Sequence, residues 1–198
     1  RTKLTMKELQ DRKREECFWF ADEAKDLGII DAIIGEDVSF ESVFCFMPSH
    51  DCDCECCGVE KFEFVRRDGV CLSDFISPDN DYIGMFAVSV NAGKVIDRYK
   101  SENADVEAMT VQLLADRLAE ATSEYLLDRT KQEWWRFKKG IRPAVGYSCL
   151  PDHTMKRQLL RILDAEKQIG ITLTESSMMI PVSSVCGFYF ANDNAKYF

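Results

Sequence analysis

GIRPAVGYSCLPDH, Gly140 to His153, is the stretch around which the rest of the chain is ordered. It follows a long helical pattern and cannot continue it. Pro143 has no amide hydrogen to give a helix, and it holds Ile141 and Arg142 in extended backbone. Gly146 permits a close approach to the main chain. Arg142 carries a planar fork of donors suited to a carboxylate. By spacing alone an Arg-Pro pair after a helix is also an ordinary structural turn, and both readings stand at this level.

Upstream, Ala104 to about Arg136 reads as one long helix. Met109, Leu113, Ala121 and Tyr125 recur at multiples of four, with Leu114, Leu118 and Leu126 widening the stripe that should face the core. A break is expected in so long an element. Asp116, Glu120 and Glu124 share one face of it at four-residue spacing, which reads either as a solvated acidic face or as a carboxylate wall. Downstream, Thr154 to Ile169 is an amphipathic helix capped by Asp152 or Thr154 and stopped by Gly170. Ile171 to Leu173 and Val185 to Ala191 close the chain as strands.

In the first half, residues 3–17 form a charged helical pattern with Thr5 and Glu8 as a capping box, and Ala21 to Ile34 a second helical stretch. Ser42 to Met47 is an apolar run expected as a buried strand. Glu60 to Arg66 alternates Phe62 and Phe64 with charges, the pattern of a half-buried strand. Cys71 to Ser77 and Tyr82 to Val90 read as two more, joined by the turn residues Ser77 to Asp81 as a hairpin. Short connections imply mostly antiparallel pairing. The fold class is therefore α+β, a twisted, mostly antiparallel sheet flanked by helices. It forms a single domain, with a helical N-terminal segment (1–40) and an α+β core (41–198).

Composition narrows the function. The chain has 198 residues, a 46% hydrophobic fraction and a formal net charge of −9. The acidity argues against a nucleic-acid partner, and no apolar run is long enough to span a membrane. The chain begins at Arg1 with neither initiator Met nor a signal-peptide pattern, as a piece of a longer protein would, though a free-standing partner protein stays open. Nine cysteines without a secretory signal point to reduced thiols in a cytoplasmic setting. Four of them, Cys52, Cys54, Cys56 and Cys57, crowd into HDCDCECCG, with His50 and Cys45 near. Thiolates so placed could hold zinc or Cu(I), but the spacing strains a tetrahedron, and an exposed reduced loop is the preferred reading. The neighbouring Asp53 and Glu55 would raise the thiol pKa.

Arg142, Pro143, Ala144, Gly146, Tyr147 and Pro151 to Thr154 fit an R-P-A-x-G-Y…P-D-H-T pattern. In LTESSMMIPVSSVCGFYFANDNAKYF (173–198), Leu173 to Ser176, Met179, Pro181, Ser184, Val185, Gly187, Tyr189, Phe190, Tyr197 and Phe198 fit L-T-E-S, M-x-P, S-V-x-G-x-Y-F and a paired-aromatic end. CLSDFISPDNDYIGMFAV (71–88) and ADRLAEA (115–121) extend the match. From Cys71 onward the chain thus resembles the S-adenosylmethionine-binding activation domain of cobalamin-dependent methionine synthase, a methyltransferase of methionine biosynthesis. That resemblance implies reductive methylation of cob(II)alamin, with the cobalamin held by a partner domain, a flavodoxin-type reductant and no catalysis by this domain alone. It implies S-adenosylmethionine contacts at Glu120, Arg142, Pro143, Ala144, Gly146, Tyr147, Tyr189, Tyr197 and Phe198, and no catalytic base. Glu120 is the one family carboxylate with a clean counterpart here. On this reading the Arg142 head group faces ligand rather than core, so Arg142→Ala would leave the fold intact. The alternative is a thiol-rich metal-binding or redox protein on the same scaffold, without the methyl donor.

Overall fold

A computed structural model of the chain describes residues 38–48, 62–77, 81–134 and 139–198. Its centre is the second strand, β2 (Tyr82–Asn91), buried at every position from Ile83 to Val90. A strand with no polar alternation has both faces covered. β2 pairs antiparallel with β1 (Ser39–Pro48) on one side, from Ser39 opposite Asn91 to Pro48 opposite Tyr82. On the other side it pairs with β5 (Ser184–Tyr189), Gly84 opposite Tyr189 and Ser89 opposite Ser184. The sheet order is β1-β2-β5. Residues 141–145 run along the free edge of β5, bridging Ile141 to Phe190 and Ala144 to Gly187.

Alternate residues of the sheet feed two cores. Phe86, Val88, Val90, Val185 and Tyr189 face α1 (Gly93–Ser101) and the long helix α2 (Asp105–Arg129). Met85, Ala87, Cys186, Phe188 and Phe190 face the opposite layer, which contains α3 (Met155–Ile162) and α4 (Ala165–Ile169). A short hairpin of β3 (Thr172–Leu173) and β4 (Met179–Ile180) lies beside the main sheet. No helix of the described residues is long and apolar enough to cross a membrane.

Four sequence expectations are corrected. Cys71 to Ser77 is not a strand of a hairpin with β2. Leu72–Phe75 is a 3-10 turn, because both edges of β2 are taken by β1 and β5. The turn is fixed by Asp74, which accepts the Cys71 amide at 2.9 Å and a two-pronged Arg66 at 2.6 and 2.7 Å. Residues 62–66 form no ladder either. Phe62 and Phe64 do turn inward, but they cover the sheet by meeting Phe188 edge-on at 4.9 and 5.4 Å.

The α2 stripe lies on a different face from the one expected. Its buried residues are Ala108, Val111, Ala115, Ala119, Ser123, Leu126 and Leu127, whereas Met109 is 67% and Leu113 60% exposed. Small side chains let the helix axis approach the sheet closely, which leaves the bulky ones on its flanks. The expected break falls at Thr130, where five residues (Thr130–Trp134) continue as a π-turn. The buried Thr130 hydroxyl donates to the Leu126 carbonyl at 2.7 Å, a local competitor of the helix ladder. Finally, the helix over 154–169 is split into α3 and α4 by Asp164, whose φ is 48°. Gly170 at φ 69° ends it as anticipated. The expected helices of residues 3–17 and Ala21 to Ile34, and the Cys52 to Cys57 loop, lie outside the described residues.

Candidate functional site

The segment after α2 is laid down by β5. The Ile141 and Phe190 backbones exchange hydrogen bonds at 3.1 Å, the Phe188 amide donates to the Pro143 carbonyl at 3.0 Å, and the Val145 amide to the Cys186 carbonyl at 2.9 Å. The approach is close enough to exclude a side chain at Gly187, whose Cβ would sit 2.2 Å from the Pro143 oxygen and 2.8 Å from Ala144 Cα. Beyond Val145 the chain turns at Gly146, with φ at 101° in a region that favours glycine. The Gly146 amide donates to the Leu150 carbonyl at 2.7 Å and closes the turn. This presents Tyr147 at the surface, 57% exposed.

Arg142 points back under α2. Only 7% exposed, it places its Nε 3.0 Å and Nη2 2.5 Å from Glu124 Oε1, and Nη2 3.2 Å from Glu120 Oε2. The guanidinium carbon lies 5.5 Å from the centre of the Phe86 ring, which stacks on Tyr189 at 4.8 Å. Nη1 is buried without a hydrogen bond. The Arg142 amide donates to the Tyr197 hydroxyl at 2.9 Å, and the Tyr147 hydroxyl donates to the other oxygen of Glu120. Burial opposes the charge on Arg142, but the Glu124 hydrogen bond and the charges of Glu124 and Glu120 outweigh it, so its pKa is raised. The hydrogen bond to Glu120 likewise raises the Tyr147 phenol, which keeps its proton at neutral pH.

Glu120 is therefore held from two sides at the wall of a cavity of about 470 Å³. Leu113, Asp116 and Glu120 form its α2 wall, Tyr147 and Lys156 approach from the turn and α3, and Ser183 comes from the loop before β5. That loop is tied to α2 by Asp116, which accepts from Ser183 Oγ at 2.5 Å and from Gln112 at 2.9 Å. The volume suits a small-molecule ligand. Two acids, Asp116 and Glu120, and two basic side chains, Arg117 and Lys156, line the cavity, which suits a ligand carrying charges of both signs.

Residues 59–198 match the profile of the family described as vitamin B12 dependent methionine synthase, activation domain. The chain belongs to this family. Among solved structures it is similar to the MetH reactivation domain bound to AdoHcy, with 28% identity and a TM-score of 0.73 over 96% of this chain and 67% of that one. The activation-domain match spans the whole of the site just described.

Within this activation domain the residues singled out in the sequence fall into three groups. Glu120 and Tyr147 line the cavity, with Gly146 in the turn beside it. Arg142 lies behind Glu120, and Tyr197 holds its amide. Pro143, Ala144 and Tyr189 are buried packing residues, and Phe198 is partly buried, its amide donating to Cys149 Sγ and its carbonyl accepting from it, each at 3.0 Å. The Tyr189 hydroxyl is buried near Thr130 without forming a hydrogen bond of good geometry, and burial raises its pKa.

Lys156 and Ser183 escaped the sequence reading. A signal for Lys156 was present: it shares the helical stripe of Leu159, Leu160 and Leu163, a buried face. Cys45, Cys71, Cys149 and Cys186 carry free thiols. Burial pushes Cys45 up to about 11 and Cys186 up to about 12, so both are protonated and unreactive near neutrality. No cluster of metal-ligating side chains occurs among the described residues.

Proposed function

We propose that this activation domain binds S-adenosylmethionine in the cavity between α2, the Gly146 turn and the loop before β5, and holds it for methyl transfer to a cobalamin carried by a partner domain. One observation carries the reading: Glu120, fixed by Arg142 and Tyr147, borders a cavity of ligand size in a chain whose solved relative is described as bound to AdoHcy. S-Adenosylmethionine has a sulfonium and an ammonium, and two carboxylates, Asp116 and Glu120, stand on one wall to receive them. When bound, it supplies the methyl group of its sulfonium and leaves as S-adenosylhomocysteine, while a flavodoxin-type reductant supplies one electron to the cobalt.

The residues of this chain orient and shield; none needs to move a proton. Arg142 keeps the Glu120 and Glu124 carboxylates in place, and Tyr147 fixes the second Glu120 oxygen. The cavity is rimmed by exposed apolar side chains, Leu113 with Met178 at 56% and Val182 at 62%. Such a rim around a polar floor is a docking surface, and the cobalamin-binding domain is its proposed occupant.

The test is Glu120→Gln. Loss of a carboxylate facing the sulfonium should weaken S-adenosylmethionine binding about tenfold or more, near 1.4 kcal/mol, and S-adenosylhomocysteine, which lacks that charge, by much less. Unchanged affinity for both ligands would remove Glu120 from the site, and equal losses would move its contact to the amino group.

A further inference from the structure

The connection from β4 to β5 has little apolar packing to hold it in place. Met178 is 56%, Ile180 50% and Val182 62% exposed. Yet Met178, Met179, Val182 and Ser183 all line the cavity beside α2. Of the apolar ones only Met179 packs against a core, so hydrophobic contact alone does not explain why this loop lies against the helix.

Ser183 is the buried exception, 5% exposed. Its carbonyl accepts the Val90 amide at 2.9 Å and extends the ladder between β2 and β5 by one residue. Its hydroxyl leaves the sheet for α2 and donates to Asp116 Oδ1 at 2.5 Å. Gln112 Nε2 donates to the same oxygen at 2.9 Å and to Ser183 Oγ at 2.7 Å. Three side chains thus close a ring across 67 and 71 positions of sequence. A carboxylate acceptor strengthens such bonds, and burial removes the water that would compete for them. The next residue braces the loop from within: Ser184 Oγ donates to the Pro181 carbonyl at 2.7 Å and lies 3.2 Å from Ser89 Oγ of β2.

We infer that Ser183 and Gln112 are positioning residues: the clasp they form on Asp116 Oδ1 holds the β4–β5 loop against α2 and keeps the cavity formed before a ligand arrives. The inference rests on the proposed S-adenosylmethionine site and adds to it the device that keeps one wall in place. Without the clasp the loop is free to lift. Only molecules with the loop seated then bind, and the apparent affinity falls by the seated fraction.

Hydrogen exchange and calorimetry on the full chain test it. In ligand-free protein, Ser183→Ala should speed exchange of the peptide from Met178 to Val185 about tenfold or more, with the strand β2 still protected at its centre. The same variant should bind S-adenosylmethionine about fivefold or more weakly. Gln112→Ala should do the same from the partly exposed helix side, and it carries the test alone if Ser183→Ala does not fold. Ser183→Thr keeps the hydroxyl and should recover most of both effects. The double variant should bind no worse than about the weaker single one, because both act through one clasp. Unchanged loop exchange in the folded variants overturns the clasp. Faster exchange with unchanged affinity, or losses that simply add, overturns its positioning role. If the unmodified chain binds neither S-adenosylmethionine nor S-adenosylhomocysteine, the site reading itself fails and the positioning role falls with it.

Discussion

Arg142→Ala is expected to lose ligand binding and a substantial part of the stability together. The guanidinium is 7% exposed, stacks over Phe86 and holds Glu120 and Glu124. Its removal leaves two carboxylates facing each other across one helical turn, with a cavity against an aromatic ring. Breaking a fully buried pair costs roughly 3–5 kcal/mol, whereas an exposed pair is worth about 1 kcal/mol at most. The Glu124 side chain is half exposed and can turn to water, so an intermediate loss of about 2–4 kcal/mol is expected. Denaturant unfolding measures it. Arg142→Lys should recover little of it, because a point charge cannot span both acids. This reverses the expectation that the head group faces ligand and that its loss spares the fold.

Gly187→Ala should be at least as damaging, for a purely steric reason. The new methyl would lie 2.2 Å from the Pro143 carbonyl oxygen and 2.8 Å from Ala144 Cα, backbone atoms with no side-chain freedom to yield. Either residues 141–145 leave β5 or β5 leaves the sheet. A penalty of about 3 kcal/mol or more is expected, which for a chain this size is a fall in melting temperature of roughly 6–12 °C. Because the same segment carries Arg142, ligand affinity should fall with it. Gly170→Ala is the control. Its φ of 69° imposes strain, but nothing lies within 4 Å of the added carbon, so its cost should stay near 1 kcal/mol. Equal melting points for the two variants would contradict the close-packed edge.

How far the sequence could be read depends on which physical signal each element carries. β2 was legible because a strand covered on both faces leaves a nearly continuous apolar run, Ile83 to Val90, broken only by Ser89. The extended segment at Arg142 was legible because Pro143 forbids helix there. The α2 face was misread because hydrophobicity was used as the guide to burial. Four of its core positions, Ala108, Ala115, Ala119 and Ser123, are small, and no periodicity of bulky side chains reports them. Cys71 to Ser77 was misread because its partner choice is tertiary: β1, not this segment, takes the edge of β2.

The site divides in the same way. Glu120 and Tyr147 stand at the cavity by virtue of local turns and helix phase. The inward turn of Arg142 depends on residues 18 and 22 positions away, a proximity set by packing rather than by pattern. Lys156 shares the buried stripe of Leu159, Leu160 and Leu163, but no pattern in the sequence shows that it borders the cavity.

This chain alone should form an S-adenosylmethionine site at the Glu120 wall. Calorimetric titration of the full chain with S-adenosylmethionine tests it most directly. Saturable binding with one ligand per chain is expected, displaced by S-adenosylhomocysteine and weakened about tenfold or more by Glu120→Gln. Absence of saturable binding, or saturable binding that Glu120→Gln leaves unchanged, would contradict it.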